Sequence, residues 1–168
     1  PEHAASQPTS TGLDVLQRDP AWQAVVKGRA VGLISNIAAL DHTGVTALAR
    51  LDAAPWADLR VLFTPEHGFL AEGEGAGATG GWQGRTISLY DTDQRPTPEM
   101  LEGLELLVID LQPVGVRFYT YLSTMVGALG AAHAAGIPVL ILDRPNPIAP
   151  QGTGGNLVDP AWISPVGA

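Results

Sequence analysis

The sequence predicts an α/β domain built on a mostly parallel sheet with helices on both faces. Three observations predict it. Five short apolar runs alternate with stretches of helical character, the order expected of strand–helix–strand units. The runs are apolar at successive positions, as strands covered on both faces are. The chain has 168 residues, 45% hydrophobic and 15% charged, which suits one domain with a real core and argues against general disorder.

Pro1 to Thr11, rich in Pro, Ser, Thr and Ala, reads as a flexible lead of the kind left when an export signal is removed, so a periplasmic or extracellular location is expected. Residues 12–168 form the domain. Leu13–Gln17 and Ala21–Val26 read as short amphipathic helices parted by Asp19-Pro20. Arg29–Asn36 is the first strand, and Thr46–Ala53 a helix closed by Pro55. Leu59–Phe63 is the second strand, and a Gly-rich loop from Gly68 to Gly84 leads to a third, Thr86–Tyr90. Thr97 suits the N-cap and Pro98 the first position of a helix that ends near Gly103. Glu105–Asp110 is the fourth strand. Phe118–Ala135 is a long helix ended by Gly136, Ile137–Leu142 the fifth strand, and Asp143 to Ala168 reads as loop. The pattern is Rossmann-like. In such sheets ligands bind beyond the carboxyl ends of the strands.

Several function classes are excluded. Nine basic and seventeen acidic residues give a net charge of −8, which repels nucleic acid and anionic membrane surfaces. The most apolar stretch, Ser123 to Leu142, is interrupted by His133, Gly136 and Pro138 and reads as a helix followed by a strand rather than a span. No cysteine is present, so thiolate chemistry is absent. No metal is expected: His3, His42, His67 and His133 show no ligand spacing, and Asp91 and Asp93 lack the rest of a calcium loop. No nucleotide cofactor is expected either. Gly75-Ala-Gly77-Ala-Thr-Gly80 matches the dinucleotide fingerprint by letters, but it precedes a strand rather than a helix and is flanked by Glu72 and Glu74. It reads as a loop over the strand ends. No Gly-x-Ser-x-Gly elbow offers a serine nucleophile.

The polar residues at the strand ends are the candidates: Asn36, Glu66 with His67, Asp110 with Gln112, and Asp143 with Arg144. A carboxylate beside an imidazole suits general acid–base work, and desolvation of Glu66 would raise its pKa as a catalytic acid needs. The competing reading pairs Glu66 with Arg117 or Arg144. In Gly115-Val-Arg-Phe-Tyr-Thr-Tyr121, Arg117 suits a carboxylate, and Tyr119 and Tyr121 suit stacking or hydrogen bonding to a sugar. Phe118 is expected to pack the helix onto the sheet. In Asp143-Arg-Pro-Asn-Pro147 two prolines stiffen a loop that could aim Asp143 and Asn146 at a ligand. An Asx-type turn with an Asp143–Arg144 ion pair is the alternative there.

Taken in order, Thr11-Gly-Leu-Asp-Val-Leu16, Val31-Gly-Leu-Ile-Ser-Asn36, Thr64-Pro-Glu-His-Gly68, Arg95-Pro-Thr-Pro-Glu-Met100, Gly115–Tyr121 and Asp143–Pro147 resemble the NamZ family, formerly DUF1343. These are exo-β-N-acetylmuramidases of glycoside hydrolase family 171. The resemblance runs from about Gly12 to Pro160. It implies a Rossmann-like N-terminal domain, a smaller C-terminal domain outside this chain, and a cleft between them. It implies release of N-acetylmuramic acid from the non-reducing ends of peptidoglycan fragments, with no cofactor. The catalytic Glu then falls on Glu66, with His67 to orient it, and Asp110 or Asp143 or the substrate's own acetamido group as the second group. Asn36, Arg117, Tyr119, Tyr121, Arg144 and Asn146 become substrate contacts, with Arg117 the candidate for the lactyl carboxylate. The chain departs from the family at Asn36-Ile-Ala-Ala-Leu, at Pro113 where the family carries an acid, and at Gly154-Gly155-Asn156. A non-catalytic sugar-binding domain and a nucleotide-dependent enzyme are the competing functions.

Overall fold

A computed structural model of the chain describes residues 9–71, 81–92 and 94–166. All five strands are parallel and lie in one sheet in the order β3-β2-β1-β4-β5. They are β1 (Ala30–Ser35), β2 (Asp58–Thr64), β3 (Arg85–Ser88), β4 (Leu106–Asp110) and β5 (Val139–Ile141). The helices are α1 (Gly12–Arg18), α2 (Pro20–Val26), α3 (Ala47–Ala53), α4 (Pro98–Leu101) and α5 (Tyr121–Ala135).

The two-sided apolarity of the strands has a direct packing result. Successive side chains of a strand point to opposite faces, and here each face meets helices. Leu33, Leu62 and Val108 join Leu13 and Leu16 of α1 and Leu48 and Leu51 of α3 in one core. Ile34, Phe63 and Ile109, the next residue along each strand, join Leu101 of α4 and Ala128 and Ala132 of α5 in the other. The sheet is thus the partition between two apolar layers.

The helix starts follow local chemistry. Thr11 and Asp14 form a capping box at α1. Asp19 accepts from the Ala21 N–H at 2.9 Å, with Pro20 at the first helical position. Thr46 Oγ1 accepts from Ala49 N at 3.2 Å. Thr97 stands at the N-cap of α4 as expected but makes no side-chain cap bond to the backbone.

One boundary moves. Helix α5 begins at Tyr121, not at Phe118, because Tyr119 N donates to Val116 O at 3.2 Å and closes a separate turn first. Phe118 is left 69% exposed, which corrects the expectation that it packs the helix onto the sheet. Among the described residues no helix is long and apolar enough to cross a membrane. The Gly75–Gly80 motif with Glu72 and Glu74, His3, Asp93 and most of the expected lead lie outside the described residues.

The strand order reverses direction between β1 and β4. In open parallel sheets the ligand crevice lies outside the carboxyl ends at such a switch. Asn36 follows β1, Asp110 ends β4, and Glu66 follows β2 next door.

Candidate active site at the strand ends

Glu66 sits in a four-residue turn. Gly68 N donates to Pro65 O at 3.0 Å, and His67 takes a positive φ of 70°. A positive φ at the third turn position is the type II pattern, ordinarily a glycine's, so His67 is held in a conformation that L residues seldom adopt. The turn keeps Glu66 half-buried and His67 exposed. No hydrogen bond or ion pair engages Glu66 among the described residues, and none joins it to His67. The expected pairing of Glu66 with Arg117 or Arg144 is not made, since both cations are bonded elsewhere. Beneath the turn Thr64 is fully buried, and its Oγ1 has no partner among the described residues.

Asn36 and Tyr121 meet across the switch point. Both are buried, and Asn36 Nδ2 donates to Tyr121 Oη. The Tyr119 ring stands edge-on to Tyr121, with centroids 4.6 Å apart. Burial, the neighbouring Tyr119 hydroxyl and the charge of Glu66 together push the Tyr121 phenol well above its ordinary value. Tyr121 therefore stays a neutral hydroxyl. Of the two tyrosines spaced i, i+2, one is buried and one half-buried.

Asp110 and Arg144 are committed to each other. Arg144 Nε donates to Asp110 Oδ1 at 2.5 Å and Nη2 to Oδ2 at 2.9 Å, while Nη1 donates to Leu40 O at 2.8 Å. Asp110 is 0% and Arg144 8% exposed. Burial pushes the Asp110 carboxyl up, and the guanidinium pulls it back. This pair ties the ends of β4 and β5 to the loop after β1. Each Asp110 oxygen thus accepts one guanidinium hydrogen bond in a buried pair, where the sequence suggested a carboxylate ready to serve as the second catalytic group. The Asp143–Arg144 ion pair is not formed: Asp143 Oδ1 accepts the Arg144 backbone N–H at 2.9 Å, and Asp143 itself is exposed. Tyr121, Asp143 and Arg144 border a small cavity of about 120 Å³.

Arg117 and Asn146 come together at a second place, the polar wall of an open cavity of about 390 Å³ between the loops after β4 and β5. Arg117 Nη2 donates to the Asn156 carbonyl, and Asn146 Oδ1 accepts from Ile148 N at 3.0 Å in an Asx turn. Glu66 and His67 border neither cavity. A groove of about 860 Å³ along α4 and α5 holds none of the expected site residues.

Sequence reasoning missed a buried acidic network under the loop after β1. Asp41 accepts from Thr43 N, Thr43 Oγ1, Val45 N and Arg50 Nε at 2.6–2.9 Å. Asp14 accepts from Thr11 Oγ1 at 2.8 Å and from His42 N and Nδ1 at 3.0 and 2.8 Å. Burial alone would push both carboxyls up, but these donors outweigh it and hold them well below the usual range. Asp14, Asp41 and His42 bring potential ligand atoms within 4.8 Å of one another, and the donors just named already engage the carboxylates. The one visible signal was Thr11-x-x-Asp14, which reads as a cap and supplies half of this network.

Comparison with known proteins places the chain in a family. Residues 31–168 match the family model described as "Exo-beta-N-acetylmuramidase NamZ, N-terminal". A curated relative, peptidoglycan beta-N-acetylmuramidase NamZ of Bacillus subtilis (strain 168), is 37% identical over 162 residues, which are 94% of this chain and 39% of that protein. Two crystal structures of DUF1343 family proteins from Bacteroides fragilis superpose with TM-scores of 0.84 and 0.76, at 36% and 27% identity. Each match covers 94% of this chain and 40% of the solved one. The chain thus spans about two fifths of the length of the relatives it matches. The strand-end motifs, the five-strand parallel sheet and these matches agree, and the chain belongs to the NamZ family through that family's N-terminal domain.

Proposed function

We propose that this chain supplies the acid-bearing wall of an exo-β-N-acetylmuramidase, which releases N-acetylmuramic acid from the non-reducing ends of peptidoglycan fragments. The observation that carries the reading is Glu66. It is a half-buried carboxylate next to the switch point, and no described residue takes its charge. An acid in a ligand crevice must keep its proton for the leaving group, and an ion pair would forbid that.

In this reading Glu66 protonates the glycosidic oxygen as the C–O bond to the anomeric carbon breaks. Water then adds to that carbon and returns a proton to the carboxylate. The transition state resembles an oxocarbenium ion and needs a second group. Asp143, exposed at the end of β5, and the substrate's acetamido group are the remaining candidates, since Asp110 is held by Arg144. Tyr119, Tyr121 and Asn36 line the sugar side, His67 flanks Glu66, and Arg117 with Asn146 receives the lactyl carboxylate. The relatives' additional length supports a second domain, or a partner chain, as the opposite wall of the cleft. The reading also keeps the exported location, where peptidoglycan is encountered.

The experiment incubates the protein with a fragment that ends in a non-reducing β-N-acetylmuramyl residue and follows free N-acetylmuramic acid by mass. Release supports the enzyme. Saturable binding of the fragment without release would instead make this chain a sugar-binding domain.

A further inference from the structure

Arg117 and Phe118 occupy the two corners of the turn that precedes α5. Tyr119 N donates to Val116 O, so residues 116–119 close a β-turn and its middle side chains project outward. The turn is held from both sides. Before it, Gly115 takes a φ of 78°, and a Cβ there would meet the Asn146 side chain at 2.2 Å. After it, Tyr121 is buried and accepts a hydrogen bond from Asn36. Phe118 therefore cannot reach the core without undoing Tyr121, and it stays 69% exposed.

A single exposed apolar side chain is ordinary. This one lies at the carboxyl edge of the sheet, directly after Gly115, Val116 and Arg117, which line the Arg117 cavity. A cation and an aromatic face on adjacent turn corners suit a ligand that carries a carboxylate close to a flat C–H surface. A pyranose ring has such a surface on the side its equatorial hydroxyls leave open, and an aromatic face covers it without needing hydrogen bonds. The Asn156 carbonyl on Arg117 shows that the guanidinium already takes an oxygen acceptor at this place.

We propose that Phe118 is a specificity-determining contact, whose ring packs on the C–H face of the sugar while Arg117 holds that sugar's carboxylate. This rests on the function proposed above. The two residues then read different features. Phe118 reads the ring that N-acetylmuramic acid and N-acetylglucosamine share, and Arg117 reads the lactyl group that only the first carries.

The test is titration of the protein with each free sugar, followed by calorimetry or ligand-observed NMR. Phe118→Ala is expected to weaken both sugars about tenfold, and Phe118→Trp to retain binding. Arg117→Ala is expected to weaken N-acetylmuramic acid alone. The melting temperature of Phe118→Ala should stay within about 2 °C of the parent, as for an exposed side chain. If the parent binds and Phe118→Ala binds equally well, the contact is wrong and the function stands. A fall in melting temperature beyond about 4 °C would make Phe118 a packing residue and overturn the inference. If the parent binds neither sugar, the inference falls, and the proposed function stands or falls by the release experiment.

Discussion

Arg144 grips both oxygens of Asp110, at 2.5 and 2.9 Å, and by its remaining nitrogen holds the Leu40 carbonyl. Two strands and the loop after a third are fastened by one buried guanidinium. Removing either partner strands a buried charge, which costs about 3–5 kcal/mol. Arg144→Met and Asp110→Leu should each lower stability by that order in denaturant melts. The double apolar variant should recover much of the loss, because the uncompensated charge is gone. A double variant as unstable as the sum of the singles would contradict the strut.

Tyr121 and Asn36 predict a smaller effect. Tyr121→Phe keeps the buried ring and removes the oxygen that Asn36 Nδ2 donates to. A buried amide then lacks its acceptor, a loss of about 1–3 kcal/mol. The variant should stay folded with a reduced melting temperature, and an unchanged temperature would mean that the bond adds nothing.

Gly12 touches the chain end-on at β5. Its N–H donates to Asp143 O at 2.7 Å, and a Cβ would stand 2.5 Å from Asp143 N and Leu142 Cα. Those obstacles are backbone and cannot rotate away. Gly12→Ala should cost about 1–3 kcal/mol by overpacking, and it should loosen the Asp143 loop along with α1. Amide exchange at Leu142 and Asp143 would report it.

Acid should unfold the protein through Asp14 and Asp41. Both have folded pKa values below the ordinary one. The stability they contribute is complete above the unfolded value, near about pH 4. It is lost as pH falls from there toward the folded values. Asp110 has the opposite sign, since burial raises it, and its contribution changes above the unfolded value, outside the window of this loss. Melting temperature should hold from about pH 6 to about pH 4 and then fall. In Asp41→Asn the fall should be shallower, from a lower starting point.

The alternation of elements, the two-sided strands and the strand-end rule were legible in the sequence because they depend on local periodicity. Strand order was not, since nothing within β1 names β2 and β4 as its neighbours. The start of α5 was misread by three residues because the bond from Tyr119 N to Val116 O, which closes a turn first, leaves no local sequence signal. At the site, Glu66 was legible as a polar residue after an apolar run. Asp110 and Arg144 carried the same signal and proved to be partners, because a strand-end position does not reveal which side chain faces which. Asp41 was invisible for the same reason: its partners Gln17 and Arg50 come from separate helices.

The central claim is that Glu66 donates the proton to the departing sugar oxygen. The direct measurement is release of nitrophenol from a nitrophenyl β-N-acetylmuramide by the parent and by Glu66→Gln, with folding checked by melting. Loss of a general acid is worth about 10²–10⁴ in rate, and the variant should fall by that factor with its melting temperature kept. Turnover by Glu66→Gln within a few fold of the parent would contradict the account.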